Sequence, residues 1–337
     1  MTHDHAHRRE PRNGAPKASA FVVGKLRECD ARLAAVVPRL LAKEVDDEAV
    51  HDLRVAIRRM RTLLKMSRDL FGPWHTNVVR DAFAQVMRAT GELRDEEVLQ
   101  ETLASAAERI PEVAKWLEGR KAREARLRRA VIARIERGDL DRARLLLKAL
   151  LVFPVDPERD LDLARFARRT VERARRKVER RREVDTSDVT GMHDLRIAYK
   201  ELRYSIELLA EALPIDARAL LEPATVFQKR LGELHDVDVA IEVVRNAKNL
   251  SAAAREETLA LLAAMRDKRV AKYLRELDPL GAGVHARISS STSKESAART
   301  DELPAPSGEE GGGNPAELDR DRLSSEGASD GPKSAPQ

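Results

Sequence analysis

Residues 51–61 read HDLRVAIRRMR, and residues 193–203 read HDLRIAYKELR. The second stretch repeats the first at an offset of 142 residues. A further pair follows: TGELRDEEV begins at Thr90 and LGELHDVDV at Leu231. His51 stands 40 residues before Gly91, and His193 stands 39 before Gly232. Two motifs matched in both residues and spacing indicate an internal duplication, in which each copy is one structural unit. The segment Phe153-Pro154-Val155-Asp156-Pro157 separates the copies as a linker.

The apolar positions around both motifs recur with the period of an α-helix. With His51 as origin and about 100° per residue, Arg54, Arg58, Arg61 and Lys65 fall with it on an arc of about 80°. Leu53, Ile57, Met60 and Leu64 occupy the adjacent face, so the cations border the core side of the helix. The second copy repeats the stripe with His193, Arg196, Lys200 and Arg203, and there Glu207 takes the next step and is expected to cap it. Like charges four residues apart destabilise a helix by a few tenths of a kcal/mol, about 0.2–0.5 per pair. Arg54/Arg58 and Arg196/Lys200 are such pairs. A merely solvated face would mix in acids, as VERARRKVERRRE near residue 175 does, so that stretch is assigned to solvent. The repeated stripe is instead expected to hold an anion. Arg offers phosphate a planar fork of two parallel donors, Lys a compact charge. His adds a donor, and a charge where an anion raises its pKa. The second motif adds Arg88 and Arg94 in one copy, with Lys229 and His235 in the matching positions. Gly91 and Gly232 are expected to allow close helix approach or a kink. Asp95 and Asp236 are expected to hold basic side chains in place.

Composition sets the class. Aromatics are only 3% of the 337 residues, and the apolar 42% is mostly Ala, Leu and Val, which suits helices with one buried face rather than a β-sandwich. Helices are expected at roughly 19–43, 47–71, 75–109, 111–137, 139–152, 158–184, 188–212, 215–249 and 252–276. Asp46 and Asp47 are candidate N-caps, Gly72-Pro73 a stop, and Pro111 a first helical residue. The fold class is therefore all-α: two four-helix bundles related by duplication and pseudo-two-fold symmetry, with disordered termini. A disordered segment 1–18 leads into a helical domain, 19–285, with halves 19–153 and 158–280. An acidic tail, 286–337, follows, rich in Ser, Gly, Pro and Glu and too polar to order itself.

The chain carries a net +5, but the residues from Ser289 onward carry −5 and the remainder +10. A cationic folded part points to an anionic partner. The single cysteine, Cys29, excludes an internal disulfide framework and a Cys-based zinc site, and fits a reducing cytoplasm. No apolar run is long enough to span a membrane, and MTHDHAHRRE lacks the apolar core of a signal peptide. His3, His5 and His7 read as a polar terminus rather than a metal site. Nucleic acid is an alternative partner, but 11 aromatic residues are few for base stacking, and none is Phe or Trp in the motifs. A phosphoanhydride hydrolase is a further alternative. It lacks a P-loop, and the motif acids come one per copy. A metal site from His51, His193 and His235 also stays open. No catalytic residue and no cofactor is expected.

The motifs resemble the CHAD domain, the conserved-histidine α-helical domain. That family shows His-x-x-Arg-Val-x-x-Arg-Arg-x-Arg in its first half. In its second half it shows His-x-x-Arg-Ile-x-x-Lys-x-x-Arg-Tyr-x-x-Glu, then Leu-Gly-x-x-x-Asp. Here the second half supplies His193, Arg196, Ile197, Lys200, Arg203, Tyr204 and Glu207, then Gln228, Leu231, Gly232 and Asp236. The resemblance covers about residues 20–280. It implies two four-helix bundles around a basic central channel, binding of inorganic polyphosphate, and association with polyphosphate granules. Thr90, where the repeat suggests Leu, departs from the pattern and is expected to alter packing rather than binding.

Overall fold

The computed structural model describes residues 16–42 and 46–296. Twelve α-helices occur among them: α1 Ala18–Leu40, α2 Asp47–Met66, α3 Arg68–Phe71, α4 Pro73–Ala89, α5 Gly91–Ala107 and α6 Pro111–Glu136, then α7 Asp139–Leu150, α8 Leu163–Glu179, α9 Val189–Leu209, α10 Ile215–Arg218, α11 Leu221–Arg245 and α12 Ala252–Ser296. A short 3-10 turn, Ala210–Ala212, follows α9. The described residues contain no β-strand, only an isolated bridge between Lys17 and Asp162. The chain divides into two compact units, residues 1–286 and 287–337. Among the described residues no helix is long and apolar enough to cross a membrane.

The helix ends follow local chemistry. Asp46 caps α2 by accepting from the backbone N–H groups of Glu48 and Ala49 at 3.0 and 3.1 Å. Asp188 does the same for α9 through Gly191 N–H at 2.9 Å, and Asp162 for α8 through Arg165 N–H at 3.0 Å. Gly72 takes φ of +84° just before Pro73 opens α4, a conformation that a side chain would strain. The second helix stops earlier than 71: it ends at Met66, and Ser67 turns the chain into α3. Ser67 is buried and returns its hydroxyl to the carbonyl of Leu63 at 2.8 Å.

Three expected boundaries are corrected. The helix expected over 75–109 is two helices, broken at Thr90, whereas the matching stretch of α11 runs through Gly232 unbroken. Residues 16–18, expected to be disordered, are bonded into the fold. Ala18 is fully buried at the head of α1, the carbonyl of Pro16 accepts from Leu163 N–H at 2.8 Å, and Ser19 bonds Asp160 at 2.6 Å. Those contacts tie them to the chain entering the second copy. Helix α12 also passes the expected end at 276 and reaches Ser296, into the segment assigned to the tail; a proline inside a helix, here Pro279, removes one backbone bond and need not end it. His3, His5 and His7, and the tail from 297 onward, lie outside the described residues.

Leu53, Ile57, Met60 and Leu64 are fully buried, so the face adjacent to the basic stripe is the core face, as the periodicity requires. Each such side chain contributes roughly 1.5–3 kcal/mol by leaving water. In the second copy Leu195, Tyr199, Leu202 and Ile206 take that place. The buried residues form two clusters. The larger joins α1, α2, α4, α7, α8, α9 and the first part of α11. The smaller joins Leu99, Leu103 and Val113 to Val237, Val244 and Leu262. Each cluster draws on both sequence halves. Helices pair as α1 with α2 and α8 with α9, and as α2 with α4 and α9 with α11, so matching elements of the two copies make matching contacts.

Candidate functional site

The two motif helices, α2 and α9, pack against each other. Two ion pairs cross their contact: Arg59 Nη2 to Glu207 at 3.4 Å, and Lys65 Nζ to Glu201 at 2.9 Å. The repeat offset of 142 carries position 59 onto 201 and position 65 onto 207. The offset therefore exchanges one pair for the other, as a contact about a two-fold axis does. Arg58 also donates to the Tyr204 hydroxyl at 3.3 Å. The basic stripes of the two copies are thus neighbours.

Four cations form the middle of this arrangement: Arg54 and Arg58 from α2, Arg196 and Lys200 from α9. They too are related in pairs by the offset. Among the described residues, none of the four has a carboxylate within 4 Å of its charged nitrogens. Burial pushes the Lys200 ammonium well below its ordinary range, and Arg58, Arg196, Arg54 and Arg203 push it further. Burial also lowers Arg54, to about 10, with Arg58 adding to the fall. Arg196 is lowered by burial, with Asp236 opposing and Arg58 assisting. Arg54 is steadied by neutral oxygens: Nη1 donates to Thr90 Oγ1 at 2.7 Å and to the Met87 carbonyl at 3.3 Å. The Arg58 Nε–H is shielded from solvent and has no acceptor among the described residues. Charges packed this way repel one another and await a counter-charge.

The other sequence-derived residues divide clearly. Lys65 is drawn to Glu201, which also holds Lys177 at 2.7 Å. Burial pushes the Glu201 carboxyl up, but Lys65 and Lys177 outweigh it and leave the group below its usual range. Arg203 donates to Glu207 at 2.8 Å and to Gln228 at 2.5 Å, and its guanidinium lies 4.5 Å from the Tyr204 ring centre. Arg94 sits near Arg54 and reaches Glu97 at 3.4 Å. Arg61 is half-buried on α2. Arg88, Lys229 and His51 are exposed, and among the described residues no hydrogen bond or ion pair ties them to the four-cation centre.

His193 and His235 come together, Nδ1 to Nδ1 at 3.3 Å. His235 is pushed down to about 3, first by burial and then by Arg196, His193 and Lys200, so it is uncharged at neutral pH. Its place at the site is that of a neutral ring, because the surrounding cations and the lack of solvent both disfavour a further positive charge. Among the described residues no three His, Cys, Asp or Glu side chains are grouped to hold a metal.

Asp95 and Asp236 each feel the arginine of their own copy, Arg54 and Arg196, while burial raises both carboxyls above their usual range. Neither forms a close ion pair among the described residues. The expected roles of the two glycines are not needed for space. A Cβ at Gly91 would meet nothing within 4 Å, and one at Gly232 would meet only Arg196 Nε at 3.8 Å, an ordinary contact.

Sequence reasoning missed Thr90 as a partner of Arg54, and missed Glu201 and Lys177; it named Tyr204 and Gln228 only among the residues that carry the resemblance, without their partners Arg58 and Arg203. Lys177 lies in the stretch assigned to solvent. Two signals were available. Thr90 is where the repeat breaks its pattern, and Glu201 is where the second copy reverses the charge of Arg59. A cleft of about 520 Å³ beside Trp116, Arg120 and Asn246 contains none of the motif residues.

The family model described as CHAD domain matches residues 25–245. No curated protein matches the chain. Among solved structures, the chain is similar to the CHAD domain from the plant Ricinus communis at 23% identity, covering 81% of this chain and 93% of that one, with a TM-score of 0.63. It is also similar to PptA from Streptomyces chartreusis at 15% identity, covering 78% of this chain and all of that one (100%), with a TM-score of 0.60. At these identities the structural likeness speaks for the fold, which is all-α in this chain.

Proposed function

The chain belongs to the CHAD domain family, and on that premise we propose that it binds inorganic polyphosphate at the contact of α2 and α9. The observation that carries the reading is the group Arg54, Arg58, Arg196 and Lys200, contributed equally by both copies and left without close carboxylates. A linear phosphate chain supplies repeated negative charges and acceptor oxygens, which Arg forks and a Lys ammonium complement. The site is read as a holding site, one that could bring the protein to polyphosphate granules. It offers donors and positive charge, and among the described residues no cluster of carboxylates stands beside them.

The test is a binding titration with polyphosphate, RNA and DNA across a salt series. Polyphosphate should bind most tightly, and log K should fall linearly with log salt, by analogy with counterion release from nucleic acids, at roughly 0.7–0.9 per cation engaged. Changing Arg54, Arg58, Arg196 and Lys200 together to Glu should abolish binding. Salt-independent binding, or binding unchanged in that variant, would overturn the reading. Tighter binding of RNA would transfer the site to nucleic acid.

A further inference from the structure

The flanks of the four-cation centre differ from the centre in one respect: their cations are answered by acids. Glu201 is shared between Lys65 of α2 and Lys177 of α8, at 2.9 and 2.7 Å. Glu207 is shared between Arg203 of α9, at 2.8 Å, and Arg59 of α2, at 3.4 Å. Each carboxylate thus neutralises cations from two helices, and each side chain is only 20% exposed. Screening by solvent is therefore weakest at the Lys177 and Arg203 pairs, 26% and 20% exposed, and stronger at Lys65, which is 46% exposed. In the first copy the matching positions are Arg59 and Lys65. The acids are therefore carried by one copy alone, and each pairs with one cation from each copy.

We propose that Glu201 and Glu207 are specificity-determining residues: by occupying Lys65, Lys177, Arg59 and Arg203, they confine the anion's footprint to Arg54, Arg58, Arg196 and Lys200. This rests on the reading of the site as a polyphosphate site. The consequence is a site that takes a short run of phosphoryl groups and gains little from a longer chain on the same molecule. Without the acids, the positive field would extend along both motif helices, and longer polyanions would gain contacts that shorter ones cannot reach.

The experiment uses the full chain and inorganic polyphosphate of several defined lengths, with affinity measured across a salt series. Glu201→Gln should free Lys65 and Lys177. The slope of log K against log salt should steepen by about 1–2, and the chain length at which affinity levels off should increase. Glu207→Gln should act in the same direction. Lys65→Gln in the otherwise unchanged protein should leave the slope as it is, because Lys65 is already neutralised. The same change made on top of Glu201→Gln should remove much of the gain. Should Glu201→Gln fail to fold, the single Lys65→Gln variant still decides: a slope that falls by about 1 means Lys65 already contacts the anion and overturns the inference. An unchanged slope and unchanged length dependence in a folded Glu201→Gln variant overturn it as well. Failure of the unaltered protein to bind polyphosphate at all overturns this inference together with the reading beneath it.

Discussion

Thr90 Oγ1 accepts a hydrogen bond from Arg54 Nη1 at 2.7 Å, and it does so where the first copy departs from the second. Leu231, at the matching position, has no hydroxyl to offer Arg196. Thr90 is fully buried, and its hydroxyl donates to the Met87 carbonyl at 2.9 Å. The departure therefore reaches beyond packing, because it orients one of the four central cations. Thr90→Val keeps the shape and removes the acceptor. The unfolding free energy should fall by about 1–3 kcal/mol, as for loss of a hydrogen bond to a charged group, and Thr90→Ser should recover most of it. Urea titration of the three proteins checks this, and a Thr90→Val variant as stable as the parent would contradict it.

Lys200 is the most crowded of the four cations, with four arginines acting on it. Lys200→Met keeps the buried stem and removes the like-charge repulsion. It should raise stability by about 1 kcal/mol, within the range of typical stabilising changes, while weakening polyphosphate binding. Melting curves and binding measured on the same sample would show whether the two properties move in opposite directions. A variant that loses both stability and binding would mean the ammonium has a structural partner in the folded chain.

His235 gives a pH dependence with a definite sign. Its folded value is about 3 against an ordinary 6.5, so the folded form refuses a proton that the unfolded chain accepts. Stability should therefore decline as pH falls from 6.5 toward 3, and the difference is absent well above 6.5. Relative to His235→Gln, the parent should lose about 1 kcal/mol between pH 7.5 and pH 5.5. Denaturant titrations at those two pH values measure it, and parallel behaviour of the two proteins would refute the assignment.

Glu96 on α5 is almost fully buried and takes both Arg120 donors, at 2.5 and 2.8 Å, from α6. Arg123 approaches the same carboxylate at 3.3 Å. Arg120→Met should cost about 3 kcal/mol, because it leaves a buried carboxylate with one distant partner. The double variant Arg120→Met, Glu96→Leu should regain much of that loss. Binding of polyphosphate should survive in both, since among the described residues neither Glu96 nor Arg120 bonds any of the four central cations, and thermal melts with and without polyphosphate separate the two effects.

The helical class, the core face and the four central cations were legible in the sequence because each follows from spacing along a single helix. Leu53, Ile57, Met60 and Leu64 share one face by period alone, and Arg54 and Arg58 must then border it. What period cannot supply is the identity of the residue across the gap. Glu201 answers Lys65 from 136 positions away, and Gln228 answers Arg203 from another helix. The motif alignment also treated Arg88 and Lys229 as equals of Arg54, although both face solvent. Equivalence between copies fixes position on a helix and leaves open whether that position looks inward. The break at Thr90 escaped notice for a related reason. Gly91 and Gly232 stand at the same repeat position, yet only the first copy divides its helix there, so glycine permits the break without compelling it.

The uncompensated centre has a thermodynamic corollary. A polyanion held there would supply the close counter-charge that the described residues do not place within 4 Å of these cations, and it would favour the folded chain to the extent that it binds that state more tightly. Each tenfold rise in free ligand above its dissociation constant then adds about 1.4 kcal/mol to the folded state. Loading and folding become a single linked equilibrium, and the chain is at its most durable while it is carrying its cargo.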